Sequence, residues 1–241
     1  MTAFTRLLAE TAPDRQDFIA LPLIQEVLRD GASRELYLDF LGQAFHHVKR
    51  TASLLALAAA RCGPEDGLYQ AALFEYIVEE RGHDEWILED IAALGGDADA
   101  VRRGAPRFAC KVMIAHAYYL VDHVSPYGLL GMVHVLEGMS VALAEKAAAA
   151  IRTTVAPSTD GGFKYLTTHG GLDVEHTAMF EKLIDAMDGR HLPVVIEAAR
   201  DFYTLYGEMF RDLDRRRAVP AAQRAAQGNA KITQSGSGRF R

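Results

Sequence analysis

The chain has 241 residues, 49% of them hydrophobic, and a formal charge of −6, which is enough material for one well-filled core. Residues 215–241 hold seven basic residues and no acidic ones, so the remainder carries −13, a balance that disfavours nucleic acid as the main partner. Cys62 and Cys110 form no CxxC pair, which excludes a disulfide framework and a thiolate metal site and predicts a reducing, cytoplasmic setting.

Residues 1–28 mix charges and prolines among their apolar residues, so neither an export signal nor a membrane span is expected there. Ala is abundant and alternating Val, Ile and Thr patterns are nearly absent, which predicts an all-α, single-domain bundle of about seven helices over residues 1–214. The first helix is expected after Asp14, kinked or divided at Pro22 and closed by Asp30-Gly31. Ser33 caps a second over residues 34–61, with Leu38, Leu41, Phe45, Val48 and Leu55 at three-to-four spacing.

A third covers residues 67–94 and stops at Gly95-Gly96, before an Asp- and Arg-rich linker to Pro106. The fourth and fifth span residues 108–123 and 126–152. After a polar loop at 157–162, the sixth spans 163–187 and the seventh 192–213, divided by Asp188-Gly189. Residues 215–241 form a basic tail of Ala, Gln, Gly and Ser, which cannot bury enough apolar surface to offset its ordering entropy and is predicted to be disordered.

Three segments carry chemistry. At about 100° per residue, positions i, i+4 and i+7 of a helix lie within about 60° of one another, so His169, Asp173 and His176 share one face of the sixth helix. Glu80 and His83 stand three apart on the third helix, and that relation favours Glu80 over its neighbour Glu79. Glu137 interrupts an apolar run from Leu129 to Leu143, where an unpaired charge would be costly. Imidazole and carboxylate without thiolate suit iron or manganese, and zinc stays open on ligand type alone.

Each segment alone has an ordinary structural explanation, Glu137 for instance as the partner of Lys111 or Arg107; their conjunction does not. His134 reads as a core histidine or a support to the ligands, one of His46 and His47 as a pocket residue, and Tyr76 and Tyr165 as core residues near the cavity. A ferritin-like centre needs a Glu on the second helix, where this chain has His46 and His47.

The pattern instead resembles the haem-oxygenase-like di-iron oxidases, relatives of the chlamydial death-domain-associated protein that share a scaffold with thiaminase II and pyrroloquinoline-quinone synthase. Their Glu and His on one helix, Glu on a later helix and His-x-x-x-Asp-x-x-His are matched by Glu80 and His83, by Glu137, and by His169, Asp173 and His176. The intervals of 54 residues from His83 to Glu137 and 32 from Glu137 to His169 also suit. FLGQAFHHVKR at 40–50 and LLGMVHVLEG at 129–138 resemble the corresponding helices, so the likeness spans about Pro22 to Met209.

The resemblance implies a haem-oxygenase-like bundle holding two Fe(II) per chain, with manganese as an alternative metal and O2 as co-substrate. It places Glu137 between the metals, Glu80 and His83 on one of them, and His169, Asp173 and His176 completing the pair. It also implies that the sixth-helix ligands are loosely ordered until metal arrives, with Gly170-Gly171 permitting local unwinding. The activity implied is desaturation, C–C cleavage or N-oxygenation of a small amino-acid- or fatty-acid-like molecule. No nucleic acid or membrane partner is expected, while a homodimer and an external electron donor are compatible with this reading.

The aminobenzoate-making branch is disfavoured, because residues 21–27 contain no Tyr. Haem cleavage is disfavoured too, because no His precedes Asp30. A metal-free enzyme like thiaminase II, or a helical protein that serves interactions alone, are the alternatives.

Overall fold

The structure, a computed structural model, describes residues 1–155 and 161–219, and for residues 169–177 the backbone but not the side chains. The tail beyond residue 219 and most of the 157–162 loop lie outside the described residues. Among those described there are twelve α-helices and no strand, so the all-α expectation holds but the estimate of about seven helices is too low.

The excess comes from breaks inside expected helices and from short helices where none was expected. The N-terminus forms α1 (Ala3–Glu10), capped by the Thr2 side chain. Helix α2 (Ala12–Ile19) is separated from α3 (Pro22–Asp30) at Leu21, because Pro22 supplies no N–H to an upstream carbonyl. The expected 34–61 helix divides at Lys49-Arg50 into α4 (Arg34–Val48) and α5 (Thr51–Arg61).

The 67–94 helix divides at Arg81-Gly82 into α6 (Gly67–Glu80) and α7 (His83–Ala93). Inside the expected linker, Asp97 accepts from Ala100 N and starts α8 (Ala98–Arg103). Helix α9 (Phe108–Tyr119) runs into one π-helical turn at Leu120–Val124. The last three, α10 (Gly128–Thr154), α11 (Lys164–Ala186) and α12 (Leu192–Arg217), follow the expected spans closely. Helix α12 continues three residues past 214, where Arg217 pairs with Glu26 and Asp214.

Helix α10 is the axis of the bundle and packs against α3, α11 and α12; α4 packs on α7, α5 on α6 and α9 on α12. By length and composition α10 could cross a membrane, but its apolar residues from Leu129 to Val135 and at Met139, Ala144, Ala148 and Ile151 are buried within the bundle.

Its far end is tied to α3 by a reciprocal bond: Thr154 Oγ1 donates to Ala32 O at 2.7 Å and accepts from Ala32 N at 3.2 Å. Gly31 is required there. Its φ is +80°, and a Cβ would lie 2.6 Å from Thr154 Oγ1.

Candidate metal centre

Helix α11 is the shared neighbour of every segment that carries a candidate ligand, since α6, α7 and α10 all pack against it. It is helical without a break through Gly170-Gly171, so residues 169, 173 and 176 occupy one helical stripe. The side chains of His169, Asp173 and His176 lie outside the described residues.

The start of α11 is fixed by Asp90 of α7, which is 2% exposed. Its two carboxylate oxygens accept from Lys164 N at 2.9 Å and Tyr165 N at 2.8 Å, satisfying amides that the first helical turn leaves without intrahelical partners. Burial pushes the Asp90 carboxyl above its usual value despite these backbone bonds.

Glu80 and His83 do come together, but not on one helix. Arg81 leaves the helix in an extended conformation and Gly82 takes φ +93°, ψ −1°, a left-handed geometry that side-chain-bearing residues enter at a cost. Glu80 thus ends α6 and His83 begins α7, with Glu80 Oε1 3.3 Å from His83 Nδ1. Both are buried, at 7% and 3% exposure, whereas Glu79 is exposed. The His83 ring stacks on Trp86 with centroids 4.1 Å apart, which fixes its plane.

Glu137 is half-buried on α10 and borders two small cavities. Arg107 is not its partner: the guanidinium is taken by Asp39 and Asp212. No ion pair joins Glu137 to Lys111. One cavity, of about 20 Å³, also meets Tyr76, and the other, of about 70 Å³, meets His134, Arg15 and Tyr203. A third, of about 130 Å³, has almost wholly apolar walls from α3, α4, α10 and α12, with His47, Ser140, Tyr165 and Tyr206 among its polar contributors.

His46 and His47 are both buried, at 3% and 6% exposure. His47 lines the apolar cavity, while His46 lies near Gly104, so one histidine is a pocket residue and the other a core residue. Burial, followed by Lys49, Arg50 and Arg107, lowers His46 to about 4. His134 is held within the core. The Thr11 hydroxyl donates to Leu7 O at 2.8 Å, which leaves His134 Nε2, 3.3 Å away, to donate to Thr11 Oγ1. Its ring lies parallel to Phe180 and edge-on to Tyr203. Burial, then the Arg15 charge, lowers it to about 4.

Among the described residues, no three His, Cys, Asp or Glu side chains cluster as a ready metal site. Glu80, His83 and Glu137 are half of the expected ligand set, and the other half stands on α11.

The sequence profile of the iron-containing redox enzymes matches residues 38–207. The chain belongs to that family. No curated relative matches the sequence.

Among solved structures, a domain of unknown function with a haem-oxygenase-like fold from Shewanella denitrificans superposes with a TM-score of 0.79 at 22% identity, over 99% of this chain and 98% of that one. A TenA homologue from Pseudomonas syringae gives 0.74 at 12% identity, over 88% and 92%. Haem oxygenase-1 from Synechocystis, in complex with haem, gives 0.68 at 10% identity, over 98% and 99%. At these identities the likeness establishes the haem-oxygenase-like fold, which hosts more than one chemistry.

Proposed function

We propose that this family member is a non-haem di-iron oxidase that activates O2 against a small, largely apolar organic acid. The observation that carries the reading is the buried Glu80–His83 pair, 3.3 Å apart at the glycine-built junction of two helices that both pack on α11. A buried carboxylate is costly without a cation or hydrogen-bond donors, and imidazole with carboxylate is a donor set that iron accepts. Glu80, His83, Glu137, His169, Asp173 and His176 would hold two Fe(II). When bound, the metal pair supplies the reducing equivalents and open positions that O2 chemistry requires.

The chain's own residues do the rest. Trp86 holds the plane of the His83 ring, with Glu80 Oε1 3.3 Å from its Nδ1, the kind of support that sets a ligand's direction. Asp90 anchors the first turn of α11, one turn before residue 169. The apolar cavity reaches α10 at Leu136 and Ser140, which share one flank of Glu137, and α11 at Tyr165. Its walls exclude water and favour a hydrocarbon chain over a polar amino acid, which supports the fatty-acid-like class of substrate.

Loading the full-length protein anaerobically with Fe(II) tests the reading. It should bind close to two iron ions per chain, and admission of O2 should then consume oxygen with a transient visible absorption. Iron content near zero at saturating Fe(II) would overturn the di-iron reading and leave a metal-free, thiaminase-II-like enzyme in its place.

A further inference from the structure

The 70 Å³ cavity beside Glu137 contains groups that the metal centre does not use. Arg15 of α2 is the one cation on its wall among the described residues, and its half-buried guanidinium makes no hydrogen bond or ion pair with any of them. Tyr203 of α12 stands on the same wall at 3% exposure, with a buried hydroxyl that has no hydrogen-bond partner. Burial pushes that phenol up to about 12, so it is a donor at neutral pH.

A buried donor left unpaired costs free energy unless a ligand or water completes it. A guanidinium facing a cavity with a phenol donor beside it is the arrangement that carboxylates take up, through charge-assisted hydrogen bonds. The neighbouring His134 does not compete, since its Nε2 is committed to Thr11.

At 100° per residue, Glu137 falls between the Leu136 and Ser140 side of α10, which lines the apolar cavity, and the His134 and Gly138 side, which lines this one. Met139 borders both. We infer that Arg15 and Tyr203 form the carboxylate subsite of the proposed oxidase, binding a monocarboxylic acid by its head group so that its chain lies past Glu137. The inference rests on the proposed function for the reaction, but the binding of an acid stands by itself.

Calorimetric titration of straight-chain carboxylates from four to twelve carbons, and of the matching primary alcohols, into the full-length protein tests it, with and without bound Fe(II) under anaerobic conditions. An acid of the series should bind at least tenfold more tightly than its alcohol. Arg15→Gln should weaken the acid about tenfold or more and leave the alcohol unchanged, with Arg15→Lys intermediate. Tyr203→Phe, which keeps the ring, should weaken the acid several-fold.

Absence of acid binding, equal affinity for acid and alcohol, or full affinity in Arg15→Gln would each show that Arg15 is a solvent-facing arginine over a water-filled gap. Acid binding that depends on Arg15 in a protein that takes up no iron would uphold the subsite and overturn the oxidase. Two irons with Arg15-independent acid binding would do the reverse.

Discussion

His83 and His134 are both buried histidines near α11, and their surroundings differ in kind. His83 faces a buried carboxylate across a helix junction; His134 faces a hydroxyl and two aromatic rings in the middle of a helix. The first environment sets a carboxylate oxygen beside an imidazole nitrogen, a donor pair of the kind metals accept, while the second favours a neutral imidazole and holds it there. Burial alone therefore does not distinguish a ligand from a core histidine. What lies within 3 to 4 Å does.

The largest effect expected from this contrast is on metal content. His83→Ala or Glu80→Ala should lose at least one iron per chain, while His134→Gln, which keeps a donor for Thr11, should retain both, as read by iron analysis of anaerobically loaded protein. Asp173→Ala belongs with the first group: it removes an anionic ligand and should lower iron content, whereas loss of a surface ion pair would cost only about 0–1 kcal/mol and leave the metal in place. Equal iron in His83→Ala and His134→Gln would erase the distinction.

Acid sensitivity sharpens the contrast from the other side. Burial lowers His134 from its ordinary value of 6.5 to about 4 in the folded protein, so the unfolded chain takes up a proton there first. The stability that the neutral ring contributes is present above pH 6.5 and is lost as pH falls toward 4, up to about 3 kcal/mol. His46, lowered by a similar amount, acts in the same direction. Denaturant unfolding at pH 7 and pH 4.5 should show a smaller difference for His134→Gln than for wild type; an unchanged difference would mean that His134 is not the group responsible.

A smaller effect is expected at the junction that positions His83. A Cβ on Gly82 would meet nothing within 4 Å, so Gly82→Ala is opposed by backbone conformation and not by space. It should cost about 1–2 kcal/mol of stability and also weaken iron binding, because the strain falls between Glu80 and His83. A thermal melt and an Fe(II) titration on one preparation would separate the two consequences; a destabilised protein with unaltered iron affinity would show that the turn serves folding alone.

The same junction shows how much the sequence revealed. The pairing of Glu80 with His83 is legible from their spacing, yet it arises at a junction between two helices and not from a common face of one. A single glycine inside an apolar helical pattern reads as a tolerated interruption, and its positive φ falls where α6, packed on α5, gives way to α7, packed on α4. The Lys49-Arg50 break carried even less signal. Neither residue is a helix breaker, and the chain merely tightens there to φ −60°, ψ −8° and φ −99°, ψ −12°.

Signals local to a few residues are legible in the sequence, such as the Ser33 cap, which accepts from Leu36 N, and the stop at Gly95-Gly96. Arg15 and Tyr203 could not be read as a pair. They lie on α2 and α12, almost the whole chain apart, and only the closing of the bundle brings them to one cavity. His134 was open to both roles until its partner, Thr11 of the segment between α1 and α2, was in view.

The most direct measurement is diffraction from crystals of the Fe(II)-loaded protein on both sides of the iron absorption edge. The account predicts two anomalous peaks about 4 Å apart, one beside Glu80 and His83 and both within reach of Glu137 and the residue 169, 173 and 176 stripe of α11. No peak at that junction, or iron found elsewhere on the chain, would contradict it.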